Sequence, residues 1–100
     1  MKKEKLRIGV IGVGHLGEYH VQKYKAIASV ELVGVVDKNL KRASEIANRY
    51  NTRPYGHHLD ILDKVDAVSL AVPTELHFDV AKEILSSGVH LLIEKPITYK

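Results

Sequence analysis

The stretch Gly12-Val13-Gly14-His15-Leu16-Gly17 carries three glycines at the G-x-G-x-x-G spacing. That spacing suits close approach of a backbone to a pyrophosphate. Gly12 would permit the tight turn, Gly14 would let the anion reach the chain, and Gly17 would let a helix pack against the preceding strand. The anion would rest on N–H groups at the helix start, where His15 and Leu16 stand. Asp37 follows Gly17 by twenty residues. A carboxylate at that distance can accept hydrogen bonds from an adenine ribose 2′-hydroxyl and would repel a 2′-phosphate, which favours NAD over NADP. Lys38, with Lys41 and Arg42 close by, could neutralise a 2′-phosphate, so NADP stays possible. The plainer reading of these cations is a solvated helix start. For Asp37 the plainer reading is an N-cap of the next helix.

Three rivals share a glycine-rich turn. A P-loop needs Gly-Lys-Ser/Thr, but Gly17 is followed by Glu18. A protein-kinase loop needs strands on both sides and a later lysine strand, and the pattern here places a helix after the glycines. A methyltransferase-like domain binding S-adenosylmethionine also uses a first glycine turn and an acid after the second strand. The three-glycine spacing disfavours it. A ligand-free turn is the remaining alternative.

The elements that must position these residues follow from periodicity. Leu6 to Ile11 reads as a buried strand, and Leu16 to about Ala28 as a helix with Leu16, Tyr24 and Ile27 among its inner-face candidates. Glu31 to Val36 is a second strand, ended by Asp37. Asn39 to Tyr50 is helical, with Leu40, Ala43, Ile46, Ala47 and Tyr50 at helical spacing. Arg53-Pro54-Tyr55 is a short third strand, with Pro54 pointing to an edge. His57 to Leu62 suggests a helical turn or two. Ala67 to Val72 is a strand. Glu75 to Ser87 is a helix with Leu76, Val80, Ala81, Ile84 and Leu85 on one stripe and Gly88 as its stop. Val89 to Ile93 is the last strand. Strands alternating with helices imply an α/β fold: a doubly wound parallel sheet of Rossmann type, order 3-2-1-4-5, truncated before the sixth strand.

Two stretches in the second half also stand at carboxyl ends of strands, where open α/β sheets bind ligands. They are Val72-Pro73-Thr74-Glu75-Leu76-His77 and Glu94-Lys95-Pro96. Taken with the glycine loop, they resemble the N-terminal half of the glucose–fructose oxidoreductase / inositol dehydrogenase family, Gfo/Idh/MocA. The resemblance runs from Leu6 to Thr98. It implies that Val72, Pro73 and Thr74 form the turn beside the nicotinamide half of the cofactor, with His77 near the start of the next helix. It implies further that Glu94 contacts the nicotinamide-side ribose, that Lys95 is the catalytic residue facing the reacting carbon, and that the bond before Pro96 is often cis. The implied activity is hydride transfer between a nicotinamide and a secondary alcohol of a sugar, polyol or sugar nucleotide. The wording of the glycine loop, with His20 and Lys23-Tyr24, is most similar to members that oxidise nucleotide-linked amino sugars. On the residues themselves, Glu94 and Lys95 could be a surface ion pair worth little; their position immediately beyond a buried strand, on the ligand edge, argues for function. Desolvation beside a bound nicotinamide would favour the neutral amine of Lys95, which suits proton transfer. A non-catalytic nucleotide-binding or redox-sensing module is the alternative. It would keep the glycines and Asp37 but have no need of Glu94-Lys95-Pro96.

Composition bounds the rest. One hundred residues make one small domain. The expectation is a dinucleotide-binding part over residues 1–100, with a C-terminal substrate domain not in this sequence and a homo-oligomer when that domain is attached. The chain has no cysteine, which excludes a disulfide scaffold and thiolate metal sites and fits a reducing cytoplasm. The +3 net charge owes much to Lys2, Lys3, Lys5 and Arg7 at the N-terminus. With one Phe and no Trp, that cluster fits a solvated lead-in better than a nucleic-acid face. No apolar run reaches the length of a membrane span. His15 reads as an exposed loop residue and His20 as packed on the first helix. His57 and His58, being adjacent, should diverge, and no metal site is expected.

Overall fold

The computed structural model describes residues 5–71 and 74–93, with the backbone alone for residues 15, 74–78 and 93. Strand β1 (Leu6–Ile11) leads into helix α1 (His15–Lys25), followed by β2 (Val30–Val36), α2 (Leu40–Tyr50) and β3 (Pro54–Tyr55). Two 3₁₀ turns, His58–Asp60 and Leu62–Lys64, then lead to β4 (Ala67–Leu70), α3 (Thr74–Ser86) and β5 (His90–Ile93). The strands form one parallel sheet in the order β3-β2-β1-β4-β5. This is the expected Rossmann-type order, with Pro54 on an edge strand where its missing N–H costs no ladder bond.

The two faces of the sheet bury separate cores. On one, Val10, Val13 and Val35 meet Val21 of α1 and Ala43, Ile46 and Ala47 of α2. On the other, Ile11, Val36, Val68 and Leu70 meet Ile61, Leu62 and Ile84. Ser69, between Val68 and Leu70, points to the α1 face, as strand alternation requires. There its Oγ lies 3.0 Å from Nδ1 of the buried His20.

Strand β2 contributes to both faces across one irregularity. Ile8 pairs with Leu32, but Gly9 pairs with Gly34, so Val33 is an extra residue in the register. Such a bulge reverses which parity faces which side. Leu32 and Val35, an odd number of residues apart, therefore face the same core. Gly34 sits in the crowded part of this segment. A Cβ there would lie 2.5 Å from Tyr55 Cε2 and 2.9 Å from the Arg53 carbonyl oxygen.

Three inner-face assignments are corrected. Ile27 lies beyond the end of α1 and is 43% exposed, Leu40 is 54% exposed at the first position of α2, and Leu85 is 61% exposed. All three lie at or beyond a helix terminus, so periodicity carried into the terminal turns overcounts the buried stripe. The residue that anchors α1 is Val21, which is fully buried and is not among the candidates named for that face. At the end of α3, Gly88 takes φ +84°, where a side chain would be strained.

A Gly34→Ala substitution should destabilise the fold by about 1–3 kcal/mol through overpacking. In a Tyr55→Ala background the cost should shrink without vanishing, because the Arg53 carbonyl remains. A double-mutant cycle by urea denaturation would measure the coupling; additive effects would exclude the Tyr55 contact as its source.

Candidate functional site at the carboxyl edge of the sheet

The register brings the strand ends into one row. Ile11 pairs with both Val36 and Leu70, and Leu70 pairs with Ile93. The residues that follow, Gly12, Asp37 and Ala71, therefore share one edge of the sheet. Gly12 N donates to Val36 O at 2.7 Å and Ala71 N to Ile11 O at 2.8 Å, which stitches these three ends together.

Each loop glycine has a separate role. Gly12 adopts φ +91°, accessible at little cost to glycine. Gly17 is buried, and a Cβ on it would lie 1.7 Å from the Gly12 carbonyl oxygen. Gly14 differs from both. Its φ is −69°, which any residue adopts, and a Cβ on it would meet nothing within 4 Å. Neither strain nor crowding requires glycine at position 14, although glycine is favoured over alanine at an N-cap.

Gly14 is the N-cap of α1, and no side chain caps that helix among the described residues. The first N–H used inside the helix is that of Glu18, which donates to Gly14 O at 2.8 Å. Helix geometry leaves the N–H groups ahead of it, those of Gly14, His15, Leu16 and Gly17, without intrahelical acceptors. Together with the helix dipole they favour an anion. His15 is the first residue of the helix, and Leu16 is half-buried behind it.

Asp37 stands directly beyond β2, and its carboxylate already holds the loop. Oδ2 accepts from Val13 N at 3.0 Å and Oδ1 from Asn39 N at 2.9 Å. The N-cap of α2 is Asn39, whose Oδ1 accepts from Arg42 N at 3.2 Å. The capping alternative for Asp37 is thereby corrected: one residue separates it from the cap position. Carboxylate oxygens have further lone pairs, so both ribose hydroxyls could still be accepted. Lys38 and Lys41 are exposed nearby.

Arg42 is not part of a solvated helix start. Its Nε donates to Val13 O at 2.8 Å and an Nη to Glu18 Oε1 at 3.3 Å. Glu18 also accepts from Arg49 at 2.6 Å and from the Tyr50 hydroxyl at 2.9 Å, tying α1 to α2. The Tyr50 and Arg49 hydrogen bonds hold the Glu18 carboxyl below the usual range. Nothing in the spacing of a single sequence singles out Glu18 or Arg42 for this, since the partners come from different helices.

The other candidates divide in two groups. Thr74 and His77 begin α3, next to the end of β4. Val72 and Pro73, and Glu94, Lys95 and Pro96 beyond β5, lie outside the described residues. The expectation for His57 and His58 is overturned: the rings stack at 4.5 Å between centroids, and His58 Nε2 lies 2.6 Å from Glu83 Oε1. The turn causes this, because His57 Nδ1 accepts from Leu59 N and folds its ring back over its neighbour. Among the described residues, no three His, Asp or Glu side chains could hold a metal ion and no helix is long and apolar enough to cross a membrane.

Residues 6–100 match the model of the Gfo/Idh/MocA oxidoreductase family, described as an NAD-binding Rossmann fold. The chain is 50% identical over 93 residues to UDP-N-acetylglucosamine 3-dehydrogenase of Acidithiobacillus ferrooxidans, covering 93% of this chain and 29% of that protein. A solved structure of that enzyme superposes with a TM-score of 0.86, covering 94% of this chain and 30% of the other. GenD2 from gentamicin A biosynthesis, solved in complex with NAD, gives a TM-score of 0.88 at 30% identity, over 93% of this chain and 27% of its own. KijD10, a 3-ketoreductase from Actinomadura kijaniata solved with NADP and TDP-benzene, gives 0.86 at 28% identity, over 95% and 30%. The chain thus spans less than a third of the length of these relatives.

Because its carboxyl is acidified in the fold, Glu18 should make stability pH-dependent. The unfolded chain, with Glu near its reference pKa of about 4.3, binds more protons in that range, so this contribution is complete above about pH 5 and falls as pH drops through the folded value. Chemical denaturation from pH 6 down to pH 3 should show a smaller loss of stability in Glu18→Gln than in the wild type. Parallel curves would remove Glu18 as a source of acid sensitivity.

Proposed function

The chain belongs to the Gfo/Idh/MocA oxidoreductase family, and from that premise we propose that it is the cofactor-holding part of an enzyme that oxidises or reduces a secondary alcohol of a nucleotide-linked sugar. The observation that carries the cofactor reading is Gly14: an ordinary backbone conformation, open space at the Cβ position, and a place at the uncapped head of α1. The pyrophosphate would rest on the amides of Gly14, His15, Leu16 and Gly17. Asp37 would accept the adenine ribose hydroxyls, favouring NAD, and Lys38 would lie beside that ribose. Val72, Pro73, Thr74 and His77 would flank the nicotinamide half. Glu94 would take the second ribose, with Pro96 fixing the turn, and Lys95 would hold or move the proton of the reacting hydroxyl. The bound cofactor supplies the hydride chemistry, and the protein orients it.

The sugar-nucleotide reading draws support from the 50% identity to UDP-N-acetylglucosamine 3-dehydrogenase. Since the relatives are more than three times as long, the residues that choose the sugar would lie in a C-terminal domain outside this sequence, where subunits of a homo-oligomer would also meet. A cysteine-free chain is at home in a reducing cytoplasm. The family match favours this enzyme over a non-catalytic sensor.

Calorimetric titration with NADH and NADPH tests the reading. NADH should bind more tightly than NADPH. Gly14→Ala should weaken NADH at least tenfold, while changing stability by less than about 1 kcal/mol, since alanine suits that φ and is only a poorer cap. A folded chain that binds neither cofactor, or an alanine variant that binds like the wild type, would overturn it.

A further inference from the structure

Val13, between the first two glycines, is held from three directions. Its side chain is fully buried against the α1–α2 face of the sheet. Its N–H donates to Asp37 Oδ2 at 3.0 Å, and its carbonyl accepts from Arg42 Nε at 2.8 Å. A backbone carbonyl in a ligand-binding turn can rotate with its peptide plane unless something grips it, and here the grip is a charge-assisted bond. The peptide group is planar and trans, so the Val13 carbonyl and the Gly14 N–H point in opposite directions. Drawing the carbonyl towards Arg42 on α2 therefore turns the Gly14 N–H away from α2. That N–H belongs to the N-cap of α1, one of the donors at the helix head left for a ligand.

We infer that Arg42 is a positioning residue for the cofactor pyrophosphate, setting the direction of the Gly14 amide through the Val13 carbonyl without touching the ligand itself. The inference rests on the dinucleotide reading of the loop. The guanidinium is steadied in turn. Asn39 caps the first turn of α2 by accepting from Arg42 N, and Glu18 on α1 takes an Nη at 3.3 Å. Its Nε and one Nη are thus engaged with the loop and α1. With Arg42 so engaged, Lys38 and Lys41 are the exposed cations left beside Asp37. Arg49 supplies an internal control: it bonds the same Glu18, at 2.6 Å, but no hydrogen bond to the loop is described for it.

The test compares Arg42→Met with Arg49→Met in this chain, by titration with NADH and with ADP-ribose and by thermal melting. Arg42→Met should weaken both ligands by about tenfold or more, as expected for loss of a bond to a charged group. The two losses should be equal, because both ligands carry the pyrophosphate. Arg49→Met should bind both within twofold of the wild type, although it disturbs the same ion-pair network. The Gly14 amide nitrogen resonance, sensitive to bonding at the preceding carbonyl, should move in Arg42→Met and stay in place in Arg49→Met. Equal affinity losses in the two variants, wild-type binding by Arg42→Met, or an unmoved Gly14 resonance would overturn the inference. Absence of NADH binding by the wild type would instead overturn the dinucleotide reading on which it stands.

Discussion

Helix α1 begins so close to the end of β1 that one methyl group at position 17 would lie 1.7 Å from the Gly12 carbonyl oxygen. That approach governs the geometry of the whole carboxyl edge. It lets the helix descend onto the sheet directly after the turn, so that Val21 reaches the core one turn later. It places Ala71, at the end of β4, 3.8 Å from the same point, which brings the two central strand ends under one helix terminus. The N–H groups of the first turn are thereby aimed across the sheet edge. A longer connection would leave them facing solvent at no fixed height.

Close packing alone would not hold the turn, because a loop of small residues has little side-chain area to bury. The backbone polar groups of the loop are satisfied by neighbours instead. Gly12 N donates to the β2 carbonyl of Val36, Val13 N to Asp37, and Val13 O accepts from Arg42. The charge on Arg42 is matched by Glu18, which a tyrosine hydroxyl and Arg49 keep ionised. Surface ion pairs are individually weak, but a network spanning two helices fixes their relative height. Asp37 shows how economical the edge is: the carboxylate proposed to accept ribose hydroxyls also holds the loop that would hold the phosphates.

The sheet beneath carries one extra residue in β2. The bulge at Val33 puts Leu32 and Val35 on one core and Val33 and Val36 on the other, and Gly34 accommodates Tyr55 of the edge strand. Tyr55 O in turn accepts from Asp37 N at 3.1 Å, so the edge strand contributes to the placement of the acid.

The sequence determined the elements, their parallel order and the glycine loop, because strand runs, helical stripes and turn residues are local patterns governed by short-range sterics and burial. It also determined that Asp37 would follow the second strand. Where it misled, the deciding contact was long-range or lay at an element's end. Leu40 and Leu85 keep the helical period yet overhang the core, and the stacking of His57 on His58 depends on a turn and on Glu83 from a distant helix. The fold decided what Arg42 and Glu18 do. A cation four residues into a helix region reads as solvated until the partner helix is in place, and the partner of Arg42 is a backbone carbonyl, which carries no signature in the amino-acid type. Backbone acceptors are the same at every position, so only the folded arrangement of α1 against α2 could show which of them a side chain would find.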